Sequence, residues 1–83
     1  MFVIFTANKK TEKILSKYIS SYSSIKNKID LLKLNPRKNN GAHPLHGRLK
    51  EKWACWLGSN IRAIYTIDNE KIIIEAIGTH KIY

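Results

Sequence analysis

The stretch WACWLGSNIRAIYTIDNEKIIIEAIG, Trp53 to Gly78, decides the fold. It contains three runs rich in β-branched and aromatic residues, separated by Gly58-Ser59-Asn60 and Asp68-Asn69. Runs of this kind bounded by turn formers read as strands. The expectation is a meander through Trp53 to Leu57, Ile61 to Ile67 and Lys71 to Ile77, closed by Gly78. Strand alternation sets Ile61, Ala63, Tyr65 and Ile67 on one face of the second run and Arg62, Ile64 and Thr66 on the other. Arg62 therefore projects away from the face that packs on the rest of the chain. Cys55, beside two tryptophans, reads as a small buried apolar residue, and at least one of Trp53 and Trp56 is expected in the core.

Working back from the meander, Asn35 to Gly47 is a run of about a dozen turn-forming residues and reads as a loop long enough to suggest a role. Before it, Ile25, Ile29 and Leu32 recur on one helical face, with Ser23 or Ser24 as cap and Pro36 as stop. Earlier still, Ile14, Leu15, Tyr18, Ile19 and Tyr22 mark a helix from Lys9 to Tyr22, capped by Asn8. Its other face carries Lys9, Lys10, Lys13 and Lys17. Phe2 to Thr6 reads as a first strand. The fold class is α+β: an N-terminal strand, two antiparallel helices and a three-stranded antiparallel meander, with the helices on one face of a mainly antiparallel sheet.

The chain has 83 residues, which fits one domain spanning 1–83. Fifteen Lys plus Arg against six Asp plus Glu leave a net charge of +9, and 43% hydrophobic residues exclude a disordered basic tail. The charge thus belongs to a folded surface and points to a polyanion or an acidic protein partner. A single cysteine excludes a disulfide framework and a cysteine-rich zinc site, and fits a cytoplasmic protein. No apolar run approaches the roughly 20 residues of a membrane span, so no membrane partner is expected.

His43, His46 and His80 are the residues best suited to move protons near neutral pH. An exposed loop histidine without a role is the bland reading of each. A metal site built from all three is disfavoured: Pro44 prevents a helical pair, and no acidic residue flanks either segment to orient a ring. No metal or other cofactor is expected. Arg48, Lys50, Lys52, Arg62 and Lys81 accompany the histidines and the aromatic residues Trp53, Trp56 and Tyr83. Basic residues interleaved with aromatics suit RNA, supplying phosphate contacts and stacking surfaces.

His43-Pro44-Leu45-His46-Gly47-Arg48-Leu49, Arg62-Ala63-Ile64-Tyr65 and Ile77-Gly78-Thr79-His80-Lys81-Ile82-Tyr83 together resemble the YafQ branch of the RelE/ParE toxin superfamily. The resemblance runs along essentially the whole chain in the same order of elements. It implies a RelE-like fold and the toxin half of a type II toxin–antitoxin pair. The implied activity is ribosome-dependent mRNA endonuclease chemistry without metal, in which the ribose 2′-OH attacks the adjacent phosphate. The implied partners are an acidic antitoxin, the ribosome and mRNA, with the toxin alone as a monomer or held in a complex with its antitoxin. His43 matches the loop histidine, His80 the C-terminal histidine, Arg62 the strand arginine and Tyr83, approximately, the C-terminal tyrosine.

At hairpin positions where the family branch has a histidine and an aspartate, this chain has Trp56 and Asn60, and neither transfers protons near neutral pH. His46 has no counterpart in the pattern and stands as a substitute. The expected catalytic set is His43, His46, Arg62, His80 and Tyr83; the expected RNA contacts are Arg48, Lys50, Lys52, Trp56, Asn60 and Lys81. The chemistry needs a base, an acid and a cation at the phosphate. A histidine can serve as base or acid, and the Arg62 fork can clamp the phosphate. Two other readings keep the fold and charge: a ParE-like gyrase poison, and a basic RNA- or antitoxin-binding module without nuclease activity.

Overall fold

The computed structural model describes residues 1–58 and 60–79. Its elements are β1 (Val3–Thr6), α1 (Lys9–Ser21), α2 (Ser23–Leu34), β2 (His43–Pro44), β3 (Trp53–Trp56), β4 (Arg62–Asp68) and β5 (Lys71–Gly78). Single 3-10 turns at Asn39–Gly41 and Gly47–Leu49 punctuate the connection around β2.

Local chemistry explains three of the four helix boundaries; α2 instead starts at Ser23 behind Tyr22 with no side-chain cap bond, so neither Ser23 nor Ser24 caps it as expected. Asn8 is extended, and its side-chain oxygen accepts the Thr11 N–H at 2.8 Å, which satisfies a donor of the first turn of α1. α1 stops at Ser21, because Tyr22 turns to extended geometry and joins the two helices directly. α2 ends where Asn35 is extended, the geometry favoured by the residue before a proline.

The strands form one sheet in the order β1-β5-β4-β3-β2. β3, β4 and β5 are the expected antiparallel meander, while β1 lies parallel to β5, from Val3 opposite Lys71 to Thr6 opposite Ile74. The long connection that a parallel pair requires includes the two helices. One expectation is corrected. His43 and Pro44 do not belong to an irregular loop: they pair with Ala54 and Trp53 and add a fifth strand to the sheet. Two residues show no periodicity, so only the partner strand defines them as a strand.

A bulge corrects the simple alternation along β5. Ile64 faces Ala76 but Tyr65 faces Ile74, so Glu75 is the extra residue. The shift lets Ile77, as well as Ile72 and Ile74, join the core. Glu75 is well used at the bulge. Its carbonyl accepts the hydroxyl of Thr11 at 3.2 Å, and its carboxylate pairs with Lys52.

The core lies between α2 and the sheet. Ile25, Ile29 and Leu32 meet Cys55, Leu57, Ala63 and Tyr65 there, with Ile72, Ile74 and Ile77. Trp53 packs against this cluster, so one tryptophan does support the core, whereas Trp56 remains 37% exposed. Ala54 and Ile64 are also buried but stand outside the cluster, on the other side of the pleat. The Tyr65 hydroxyl donates to the Pro36 carbonyl at 2.6 Å and ties β4 to the segment just beyond α2. Among the described residues, no helix is long and apolar enough to cross a membrane.

Burial gives the core a pH signature. Desolvation pushes the Cys55 thiol up to about 12, and the neighbouring Tyr65 hydroxyl offsets only a smaller part of this. Burial likewise raises the Tyr65 phenol. Both groups stay protonated in the folded chain at pH values where the unfolded chain loses protons. Their contribution to stability is therefore intact below the ordinary thiol value of 9.0 and is lost as pH rises toward 12. Urea midpoints are expected to be level from about pH 7 to 8 and to fall steadily from about pH 9 to 11. Cys55→Ala should make the decline shallower; an identical decline in that variant would refute the assignment.

Candidate functional site

The pleat brings part of the sequence-predicted set onto one face. Trp56 on β3 pairs with Arg62 on β4, which pairs with Gly78 on β5. Cross-strand partners share a face, and this is the face opposite Ala63 and Tyr65, as expected for Arg62. The Arg62 guanidinium carbon sits 3.9 Å from the centre of the Trp56 ring. That is a close cation–π stack, a geometry favoured by arginine's flat, weakly hydrated cation.

His43 pairs with Ala54, which pairs with Ile64, so it occupies the same face one pleat row away. Strand spacings put its backbone about 10 Å sideways and about 7 Å along from that of Arg62. The imidazole is exposed, and its Nδ1 lies 3.0 Å from the Gly41 carbonyl oxygen. A nitrogen in contact with a carbonyl must donate, which sets the proton on Nδ1 and leaves Nε2 as the atom available to a substrate.

Three other expected residues lie elsewhere. His46, Arg48 and Lys50 are exposed in the connection between β2 and β3. This connection meets the start of β3, whereas Trp56 closes its end about 10 Å away. His46 is therefore separated from the Trp56–Arg62 pair. Lys52 is engaged with Glu75, a carboxylate that sequence spacing did not bring near it. Asn60 lines a cleft of about 320 Å³ with Tyr18, Tyr22 and Thr79. His80, Lys81 and Tyr83 lie outside the described residues. Among the described residues, no group of three or more His, Cys, Asp or Glu could hold a metal ion.

Several supporting residues carried no sequence signal. Gly41 has φ of +66°, and a Cβ there would stand 3.1 Å from Trp56 Cδ1. The Asn39–Gly41 turn therefore leaves little room for a side chain between Gly41 and the indole. Asn40 donates its side-chain amide to the Lys28 carbonyl at 2.7 Å, which ties the same turn to α2. Ser24 and Lys28 of α2 then share a cleft with Trp56 and Gly58. Gly41→Ala is expected to cost about 1–2 kcal/mol from the left-handed backbone alone and to displace the indole. A lowered urea midpoint and a changed near-ultraviolet dichroism of tryptophan would report both effects. A wild-type spectrum would show that the turn does not hold Trp56.

No protein-family model matches the sequence, and no curated protein matches it. The fold, in contrast, has close counterparts among solved structures. The YoeB–YefM complex from Staphylococcus aureus aligns at TM-score 0.76 and 15% identity, covering 96% of this chain and 98% of that one. The DinJ–YafQ complex from E. coli aligns at TM-score 0.69 and 21% identity, over 98% and 96%. A copper-bound mutant toxin from Helicobacter pylori aligns at TM-score 0.73 and 19% identity over 100% of both chains. Two helices against a five-stranded mixed sheet are thus the architecture of these toxins, and the RelE-like fold expected from the sequence is the fold observed.

Proposed function

We propose that this chain, folded as the YoeB and YafQ toxins are, is the toxin of a type II toxin–antitoxin pair and cleaves mRNA on the ribosome. The observation that carries the reading is the end-to-end fold match, 96% of this chain against 98% of the YoeB–YefM counterpart. The single domain 1–83 would then be the working unit.

In the proposed reaction the ribose 2′-OH gives its proton to a base and attacks the adjacent phosphorus, and the P–O5′ bond breaks as an acid protonates the leaving 5′-oxygen, so the RNA supplies its own nucleophile and no cofactor is required. Arg62 is suited to the phosphate: its fork offers parallel donors, and the Trp56 stack fixes its plane. Charge develops on the phosphate oxygens in the transition state, and a preorganised cation there lowers the barrier most. His43, with Nε2 available, serves in proton transfer together with His80, and Tyr83 assists. Trp56 and Asn60 contact the RNA. His46, Arg48 and Lys50 form a separate basic stretch for neighbouring phosphates. Lys52 and Lys81 add to the RNA contacts, Lys52 only if it leaves Glu75.

The partner is an acidic, partly helical antitoxin that covers the basic surface, including the exposed Lys9, Lys10, Lys13 and Lys17. Solved counterparts occur in the YoeB–YefM and DinJ–YafQ complexes. Binding to the folded state also stabilises a small domain by mass action. A cytoplasmic location goes with a ribosomal target.

One observation favours a second reading, an RNA- or antitoxin-binding module without nuclease activity. Trp56 occupies a position where the family branch has a proton-transferring histidine, and its ring is stacked against Arg62. The two readings part in one experiment. The protein is added to translating ribosomes, and mRNA 5′ ends are mapped. Cuts at codon positions that disappear with His80→Ala support the nuclease. Intact mRNA with retained antitoxin binding supports the module, and DNA breaks with intact mRNA on induction support the gyrase poison.

A further inference from the structure

We propose that the cleft between α2 and the end of β3 is a nucleotide subsite, in which the Trp56 indole stacks on a base while Lys28 and Ser24 take the adjoining phosphate. This rests on the RNA reading of the function and adds two residues of α2 that the proposed chemistry does not use.

The cleft has a volume of about 470 Å³ and is lined by Ser24, Lys28, Trp56 and Gly58. That is within the roughly 300–1,000 Å³ typical of small-ligand sites. Ser24 and Lys28 stand four residues apart in α2, so both side chains leave the same face of the helix. None of the four lining residues is acidic. Lys28 is half-buried. A lysine held this way beside an aromatic surface suits an anion that comes attached to something flat.

Trp56 has the features of a platform rather than of a core side chain. Arg62 covers one face of the ring, 3.9 Å from its centre, and a Cβ on Gly41 would stand 3.1 Å from Cδ1, yet the residue is still 37% exposed. The Asn39–Gly41 turn that backs it is bonded through Asn40 to the Lys28 carbonyl. One piece of structure thus links the ring to the turn of α2 that carries Lys28. A nucleotide carries a π-face and an anionic phosphate in a single unit and matches both. An acidic peptide offers the charge without the ring. Base stacking on an aromatic side chain is tolerant of sequence and strong enough to register in affinity.

The test uses the full chain without ribosomes and a fluorescein-labelled 2′-O-methyl hexaadenylate, which has no free 2′-OH and cannot be cut. Fluorescence anisotropy gives the affinity over a salt series. Trp56→Ala and Lys28→Gln are each expected to weaken binding about tenfold, with Trp56→Phe retaining most of it. Lys28→Gln should also reduce the slope of log affinity against log salt by about 0.7, the value for one single-strand phosphate contact. Lys71→Gln, exposed at the start of β5, should leave affinity within about twofold of wild type. Lys28→Gln removes a cleft-lining charge without opening the core, so it carries the test if Trp56→Ala fails to fold. An affinity unchanged by Lys28→Gln overturns the subsite. So does equal displacement of the oligonucleotide by oligoglutamate of the same charge, which would mark a surface that reads charge alone. Cleavage of mRNA by the wild-type chain is scored separately. Absent cleavage with oligonucleotide binding that depends on Lys28 defeats the nuclease reading and spares the subsite; cleavage with binding indifferent to Lys28 defeats the subsite alone.

Discussion

Arg62→Ala will lower mRNA cleavage on translating ribosomes by about two to three orders of magnitude, the usual effect of removing one preorganised stabiliser of transition-state charge. The expectation comes from its setting. Arg62 begins β4, so its backbone is fixed between Trp56 and Gly78 on the neighbouring strands. Its guanidinium is held against the Trp56 ring at 3.9 Å. Arg62→Lys should recover only a small part of the rate, because a lysine keeps the charge but loses the planar fork and the stack. The measurement is the single-turnover rate with saturating ribosomes, together with the urea midpoint of each variant. Stability should change far less than activity, since Arg62 lies outside the apolar cluster. Cleavage by Arg62→Ala within about threefold of wild type would remove Arg62 from the chemistry.

Tyr65→Ala is expected to be the most damaging single change to the fold. Tyr65 is fully buried, at 0% exposure, in the middle of β4. Truncating a buried aromatic typically costs about 3–5 kcal/mol in lost burial and residual cavity. A domain of this size has on the order of 4–12 kcal/mol in total. The variant also leaves the Pro36 carbonyl without the hydroxyl that meets it at 2.6 Å. Tyr65→Phe isolates that second loss and should cost about 1–3 kcal/mol. Chemical denaturation of the three proteins checks the order wild type, Tyr65→Phe, Tyr65→Ala. Equal midpoints for wild type and Tyr65→Phe would mean that the bond to Pro36 contributes nothing net. Such a weakened variant should also recover stability when the proposed acidic partner is added, because binding favours the folded state.

Much of the architecture was legible in local chemistry. The helices announce themselves by periodicity and caps: Asn8 starts α1, and Pro36 bars α2 from running on. The meander comes from three β-rich runs and two polar breaks. The Glu75 bulge was not legible, because an unpaired residue is defined by two strands together and not by either alone. Nor was β2, whose two residues become a strand only against Trp53 and Ala54.

The same division holds at the site. Composition and motifs singled out Arg62, Trp56 and His43 as chemically able residues. Residue types and spacing did not separate His46 from them, although β3 sets it at the other end of the strand. They did not reveal that Lys52 meets Glu75 or that Gly41 backs the indole. These are contacts across long stretches of chain, and no periodicity encodes them.

Residue order was enough for the class of fold and the basic charge, and it named the side chains on which the proposed RNA chemistry rests. Those depend on local propensity and on charge, which are sums over the chain. Packing of the strands and helices supplied the rest: the register that stacks Arg62 on Trp56, the row that carries His43, and the turn that joins Lys28 to the same cleft. Register is a property of paired strands: a one-residue slip would send Arg62 to the opposite face with the sequence itself unchanged.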